Sequence, residues 1–209
     1  MSSAELFALI ALATVGTFTP GPNNTLSTTL AANYGLRRAL PFVCAVPVGW
    51  SVLLILNSAG LGIMVLSFPP LRWGLLTAGV LYLLWLAWKL ASTHRLNDAT
   101  QGPIVGFKQG VMLQFINLKA WFLAMSVASG WVIGHDDLYA RLAEALPVFM
   151  FFGFSSNLTY AWLGAGLRHW LQGPDGTAKR LQWFNRVMAL ALLVTIVWMA
   201  RSSLQLQVP

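Results

Sequence analysis

The chain has 209 residues, 57% of them hydrophobic and only 9% charged, against about 25% charged in an average soluble domain. This composition excludes a disordered chain, a nucleic-acid-binding domain and an ordinary soluble enzyme; the net charge of +7, from 13 Lys and Arg against 6 Asp and Glu, is too sparse for a nucleic-acid footprint. A single cysteine, Cys44, leaves no internal disulfide and no paired-cysteine redox or zinc site, and is expected to be a small buried group.

A membrane-spanning helix takes about 20 apolar residues, and the charged residues divide the chain into six stretches of that order. Helices are predicted at 5–32, 39–65, 70–91, 108–132, 141–167 and 183–203. The first stretch lacks the basic leader of a cleaved signal peptide and is interrupted by Thr19-Pro20-Gly21-Pro22. Turn residues fall between the helices: Asn33-Tyr34-Gly35, Pro69-Pro70, Gly102-Pro103 and Gly173-Pro174-Asp175-Gly176. The expected fold is an all-α membrane protein, one domain over residues 1–209.

Helix 1 is predicted to break near its middle. Pro20 and Pro22 remove two backbone donors and their rings clash with the preceding turn. Gly21 lowers the cost of a non-helical conformation, and Asn23 and Asn24 are placed to cap a restarted half-helix. Backbone left unpaired in lipid costs several kcal/mol, so a real break must face protein or a wet cavity. The alternative is a plain proline kink.

Helix 4 carries the other oddity, Asn117-Leu118-Lys119-Ala120. A lysine at the centre of a span costs about 3 kcal/mol, and no acid lies at its depth in any predicted span. Lys119 either pairs with backbone carbonyls or faces a pathway. The two places are related: positions 21 and 118 are 97 apart, close to half the chain. With three helices in each half, 1–100 and 101–209, the second half must insert upside down, so an inverted repeat is expected, an arrangement typical of transporters.

Other residues carry weaker signals. His94, His135 and His169 are assigned to loops. Asn57, Asn157 and Thr159 are candidates for hydrogen bonds between helices. Gly106 with Gly110, and Gly130 with Gly134, match the small-residue spacing of helix contacts. No nucleophile elbow, zinc-protease motif or intramembrane Asp pair is present, so no catalysis, cofactor or metal is expected.

With these residues in place the chain resembles the LysE/RhtB family of amino-acid exporters. The likeness rests on Thr19-Pro20-Gly21-Pro22-Asn23, Gly35-Leu36-Arg37-Arg38-Ala39, and Gly79-Val80-Leu81-Tyr82-Leu83 running to Lys89. Phe107-Lys108-Gln109-Gly110, Asn117-Leu118-Lys119-Ala120 and Phe184-Asn185-Arg186-Val187 continue it. The family usually reads Asn-Pro-Lys-Ala in helix 4; here Leu118 replaces the proline, so the second break is less enforced. The resemblance implies efflux of amino acids or close derivatives across the bacterial inner membrane, with the bilayer and a small-molecule substrate as partners and self-association left open.

The expected mechanism is alternating access. The site residues are Pro20, Gly21, Pro22, Asn23, Asn24, Asn117 and Lys119. The half-helix restarting at Asn23–Asn24 and the Lys119 ammonium both suit a substrate carboxylate. No acid sits mid-span to meet a cationic side chain, so neutral amino acids are the expected cargo. A non-transporting membrane subunit that keeps the fold is the alternative.

Orientation follows from basic residues. The loops after helices 1, 3 and 5 share one face with nine Lys and Arg: Arg37, Arg38, Lys89, Arg95, Lys108, Arg168, Lys179, Arg180 and Arg186. The opposite face has three, Arg72, Arg141 and Arg201. The richer face is expected in the cytoplasm, with both termini outside. Reporter fusions after Gln101 and at the C-terminus should therefore report cytoplasmic and periplasmic positions respectively; a cytoplasmic C-terminal reporter would refute the assignment.

Overall fold

The computed structural model describes residues 1–93, 105–173 and 179–205. His94, Arg95 and the predicted turns at 102–103 and 174–176 lie outside the described residues. The elements are α1 (Ser3–Phe18), α2 (Pro22–Tyr34), α3 (Leu36–Ser58), α4 (Leu61–Ser67) and α5 (Pro69–Ala91). They are followed by α6 (Phe107–Ile116), α7 (Leu118–Val127), a π-helical turn (Ala128–Val132), α8 (Leu138–Gln172) and α9 (Lys179–Gln205). No strand occurs among the described residues.

Four helices are long and apolar enough to span a membrane alone: Leu36–Ser58, Pro69–Ala91, Leu138–Leu171 and Lys179–Trp198. Two further pairs qualify jointly, α1 with α2, bent by 53°, and α6 with the helix from Leu118 to Val132, bent by 71°. Counting each pair as one span gives six. The outward faces are apolar: Phe7, Leu81 and Trp162 are 74%, 62% and 62% exposed, as helices bathed in lipid require.

The second break, expected to be less enforced for want of a proline at 118, is the sharper of the two: helix 4 bends at Asn117 by more than helix 1 does at 19–21. Cys44, expected inside, is exposed, and His169 lies in the last turn of α8 rather than in a loop.

Besides a small cluster of Ala32, Leu171, Leu181 and Phe184, the core divides into two main clusters along the helix axes. One gathers Leu30, Phe42, Leu83, Leu86, Leu113 and Leu192. The other gathers Leu9, Leu53, Leu54, Trp121, Ala124 and Phe149. α3 feeds the first through Phe42 to Val46 and the second from Trp50 onward. The polar side chains of the two breaks lie at the level where one cluster gives way to the other.

One end of the molecule is tied by ions. Arg141, 9% exposed, pairs with Glu5 at 3.0 Å and Asp137 at 2.7 Å and donates to the Trp131 carbonyl at 3.3 Å. The guanidinium holds the Asp137 carboxyl below the usual carboxylate range. The Trp131 indole donates to the Glu5 carbonyl at 3.1 Å. These contacts join the start of α1, the π-helical turn and the start of α8, and place Glu5, Asp137 and Arg141 on one side of the protein.

α2 is the post around which the rest is arranged. Its buried residues include Asn24, Ser27, Thr29, Leu30, Ala31, Ala32 and Asn33. Ser27 donates to Asn157 of α8 at 2.9 Å, and Asn33 exchanges amide hydrogen bonds with Asn185 of α9 at 2.9 and 3.1 Å. Of the three residues proposed as interhelical glue, only Asn157 acts so in the structure; Asn57 and Thr159 donate to carbonyls four residues back in their own helices.

Close backbone approach is needed at Gly164 of α8, where a methyl group would stand 2.0 Å from the Thr28 carbonyl oxygen of α2. The spacing Gly130/Gly134 has no such role, for nothing lies within 4 Å of a side chain added at either position. Gly164→Ala should therefore cost about 1–3 kcal/mol by overpacking and lower the unfolding temperature of the protein in detergent. Gly130→Ala should leave that temperature unchanged in the same measurement.

Candidate functional site

The site begins with the carbonyls that α1 releases at its end. Thr19 is extended (φ −61°, ψ 126°), Gly21 is extended, and α2 restarts at Pro22. Pro20 and Pro22 lack the N–H groups that would serve the Gly16 and Phe18 carbonyls, and the extended turn at 19–21 takes the donors for the Thr17 and Thr19 carbonyls out of reach as well. Side chains from elsewhere take every one of the last three. Thr17 accepts from Asn24 Nδ2 at 3.0 Å and from Ser156 Oγ at 2.8 Å. Phe18 accepts from the Tyr160 hydroxyl at 3.0 Å. Thr19 accepts from the Lys119 ammonium and from Asn24 Nδ2 at 3.4 Å.

The second break arises differently. In a continuous helix the Lys119 N–H would donate to the Phe115 carbonyl, four residues back. Here the Lys119 N–H donates to Asn117 Oδ1 at 3.2 Å, while the Phe115 carbonyl accepts the Trp121 indole N–H at 2.7 Å. Both partners of the broken bond are thus engaged by side chains. Local side-chain bonding of this kind competes with the helix and makes a proline unnecessary. Gly79 of α5 gives the Ile116 carbonyl room, since a methyl there would lie 2.2 Å from that oxygen.

Between the breaks lies a cavity of about 50 Å³, room for water only in this conformation. Its lining includes Gly21, Pro22, Asn23 and Asn24 from the first break and Asn117 and Lys119 from the second. The N-terminal ends of two half-helices, α2 and α7, therefore meet at one cavity, and each brings partial positive charge. Lys119 is the charged residue of this lining, and no acid belongs to it.

Of the seven residues singled out in the sequence, six line the cavity and Pro20 does not. Pro20 faces a separate lateral groove between α2, α8 and α9 with Thr25, Tyr160 and Phe184. Asn23 and Asn24 also act otherwise than expected. Gly21 stands at the N-cap of α2, which has no side-chain cap. Asn24 caps the preceding helix instead, and Asn23 pairs reciprocally with Gln114 of α6 at 2.9 and 3.2 Å.

Sequence reasoning missed Gln114, Trp50 and Phe149, and named Asn157 for helix contacts rather than for the site. Gln114 is fully buried and is held further by its bond to the Gly110 carbonyl at 3.0 Å. Its place three residues before Asn117, in the otherwise apolar run 111–116, was the available signal. Trp50 and Phe149 line the cavity and stack on each other, with ring centroids 4.3 Å apart and an interplanar angle of 23°. Nothing local distinguishes them from other core aromatics.

Comparison with known proteins follows the same lines. The family model described as LysE type translocator matches residues 14–202. Among curated relatives, a cysteine/O-acetylserine efflux protein of Escherichia coli K12 is 26% identical over 165 residues, covering 78% of this chain and 84% of the relative. A protein of the same name from Shigella flexneri is 27% identical over 147 residues, covering 70% and 75%. No solved structure matches. The match takes in both helix breaks and the cavity between them, and the chain belongs to the LysE type translocator family.

Proposed function

We propose that the chain exports small neutral amino acids or their derivatives across the bacterial inner membrane by alternating access. The observation that carries this reading is the cavity at the meeting of two broken helices, lined by two half-helix N-termini, five amide or ammonium side chains and no acid. The substrate carboxylate lies against Lys119 and the start of α2, where the dipole and the ammonium favour negative charge. The substrate ammonium is met by carbonyls at the end of α1, the groups that Lys119 and Asn24 now occupy.

The charge of the cargo follows. A cationic side chain would need a counter-charge within a poorly solvated site, and the lining has none. Relatives are named for efflux of cysteine and O-acetylserine, whose side chains are uncharged, and this supports the same expectation. Aromatic faces such as Trp50 and Phe149 are the remaining means of holding a cation.

Two halves related by an inverted repeat account for the positions of the breaks, which fall in the first span of each half and meet at one cavity. The 50 Å³ space must widen to admit an amino acid, so opening to either side requires the halves to move. Rocking of one half against the other, with both termini outside the cytoplasm, is the motion we assign. The alternative, a non-transporting subunit, drew on the missing proline at 118; the 71° bend at Asn117 weighs against it.

Two tests address the site. Replacing Pro20, Gly21 and Pro22 together by alanine restores the donors of a continuous helix and removes the carbonyls from the cavity. Efflux from cells or vesicles should be abolished while membrane insertion persists; surviving efflux would make the break a passive kink.

Lys119→Ala should lower efflux of neutral amino acids at least tenfold with expression unchanged, a loss of about 1.4 kcal/mol. Vesicles loaded with lysine, arginine or neutral amino acids test the charge argument directly. Robust export of lysine or arginine, with no transport of neutral amino acids, would overturn it.

A further inference from the structure

One buried donor, on a residue that lines the cavity, is left unused by the rest of the protein. The Trp50 indole N–H is buried and has no hydrogen-bond partner among the described residues, and the residue is only 7% exposed. Two other inward indoles are paired: Trp121 donates to the Phe115 carbonyl and Trp131 to the Glu5 carbonyl. An indole N–H can only donate, and a buried donor left without an acceptor is rare and costly. Trp50 also lines the cavity, and its ring is held by the stack on Phe149 at 4.3 Å.

We infer that Trp50 reads the substrate side chain: its N–H donates to an acceptor atom, so the protein selects short, uncharged side chains that contain an oxygen, or more weakly a sulfur. This rests on the proposed export of neutral amino acids through the same cavity. The carboxylate and ammonium are taken by Lys119, α2 and the α1 carbonyls, which leaves the side chain for Trp50 and Phe149, the aromatic part of the same lining. An ether, ester or hydroxyl oxygen there satisfies the N–H. A methylene in the same place leaves the donor unpaired. Sites built to bond a substrate heteroatom discriminate against the analogue that lacks it because their own polar group is then unpaired.

Three isosteres test this without any mutation. O-methylserine, S-methylcysteine and norvaline differ only in having oxygen, sulfur or methylene at one side-chain position. Their order as acceptors is the reverse of their order in hydrophobicity. Initial rates of efflux from vesicles containing the full chain should fall in the order O-methylserine, S-methylcysteine, norvaline, with kcat/KM for the first about tenfold above the last. In Trp50→Phe, which keeps an aromatic ring against Phe149 and removes the N–H, that ratio should collapse toward one. The ratio is internal to each protein, so a lower amount of inserted variant does not affect it.

Equal rates, or norvaline ahead, in the unchanged protein would overturn the role of Trp50 while leaving neutral amino-acid export intact. A Trp50→Phe variant that keeps the tenfold ratio would do the same. If Trp50→Phe fails to insert, the order of the three isosteres in the unchanged protein decides. Export of no neutral amino acid at all by the unchanged protein would overturn both the site reading and this inference.

Discussion

A carbonyl released inside a membrane has no water to accept from, and the cost of leaving it bare is several kcal/mol. The end of α1 presents three in a row, on Thr17, Phe18 and Thr19, and the side chains of Asn24, Ser156, Tyr160 and Lys119 reach in from α2, α8 and α7 to take them. This requirement sets much of the surrounding structure. α8 must run beside the break to present Ser156 and Tyr160 one turn apart, and Gly164 lets it approach α2 closely enough to do so. Lys119 must come from the second break, so the two interruptions are bound together by the chemistry of the first.

The two breaks reach the same result by different means. Proline enforces the first by subtraction, removing donors that a helix needs. The second is made by capture: Asn117 takes the N–H and Trp121 takes the carbonyl of the bond that would have continued the helix. Capture is reversible in a way that subtraction is not, since both groups keep their native hydrogen-bonding capacity. In an inner-membrane translocator of several spans, this gives the two halves of the chain breaks of different stiffness.

The interior is held by neutral amide and hydroxyl pairs rather than by ions. Asn23 with Gln114, Asn33 with Asn185, and Ser27 with Asn157 connect α2 to α6, α9 and α8. Neutral pairs of this kind satisfy their members at little desolvation cost compared with a buried ion pair. The ion pairs of Arg141 with Glu5 and Asp137 gather at one end, leaving the cavity with Lys119 as its charged residue.

The features legible in the sequence were those that depend on short stretches of chain. Apolar length set the spans, Pro20 and Pro22 marked the first break, and Lys119 stood out because a charge in a span has few tolerable surroundings. The family likeness was legible for the same reason, since its motifs sit at these local features. Which faces turn inward was not legible. Lipid is as apolar as the protein core, so the helices carry no amphipathic stripe to separate a residue against the bilayer from one against a neighbour. Hence Cys44 lies exposed, Pro20 turns to the lateral groove, and Trp50 and Phe149 join the cavity without any mark in the sequence. The second break was decided by tertiary structure too, because its stability needs Gly79 of α5 beside the Ile116 carbonyl and a first break within reach of Lys119. Local chemistry chose where the helices could fail; packing chose which groups met there.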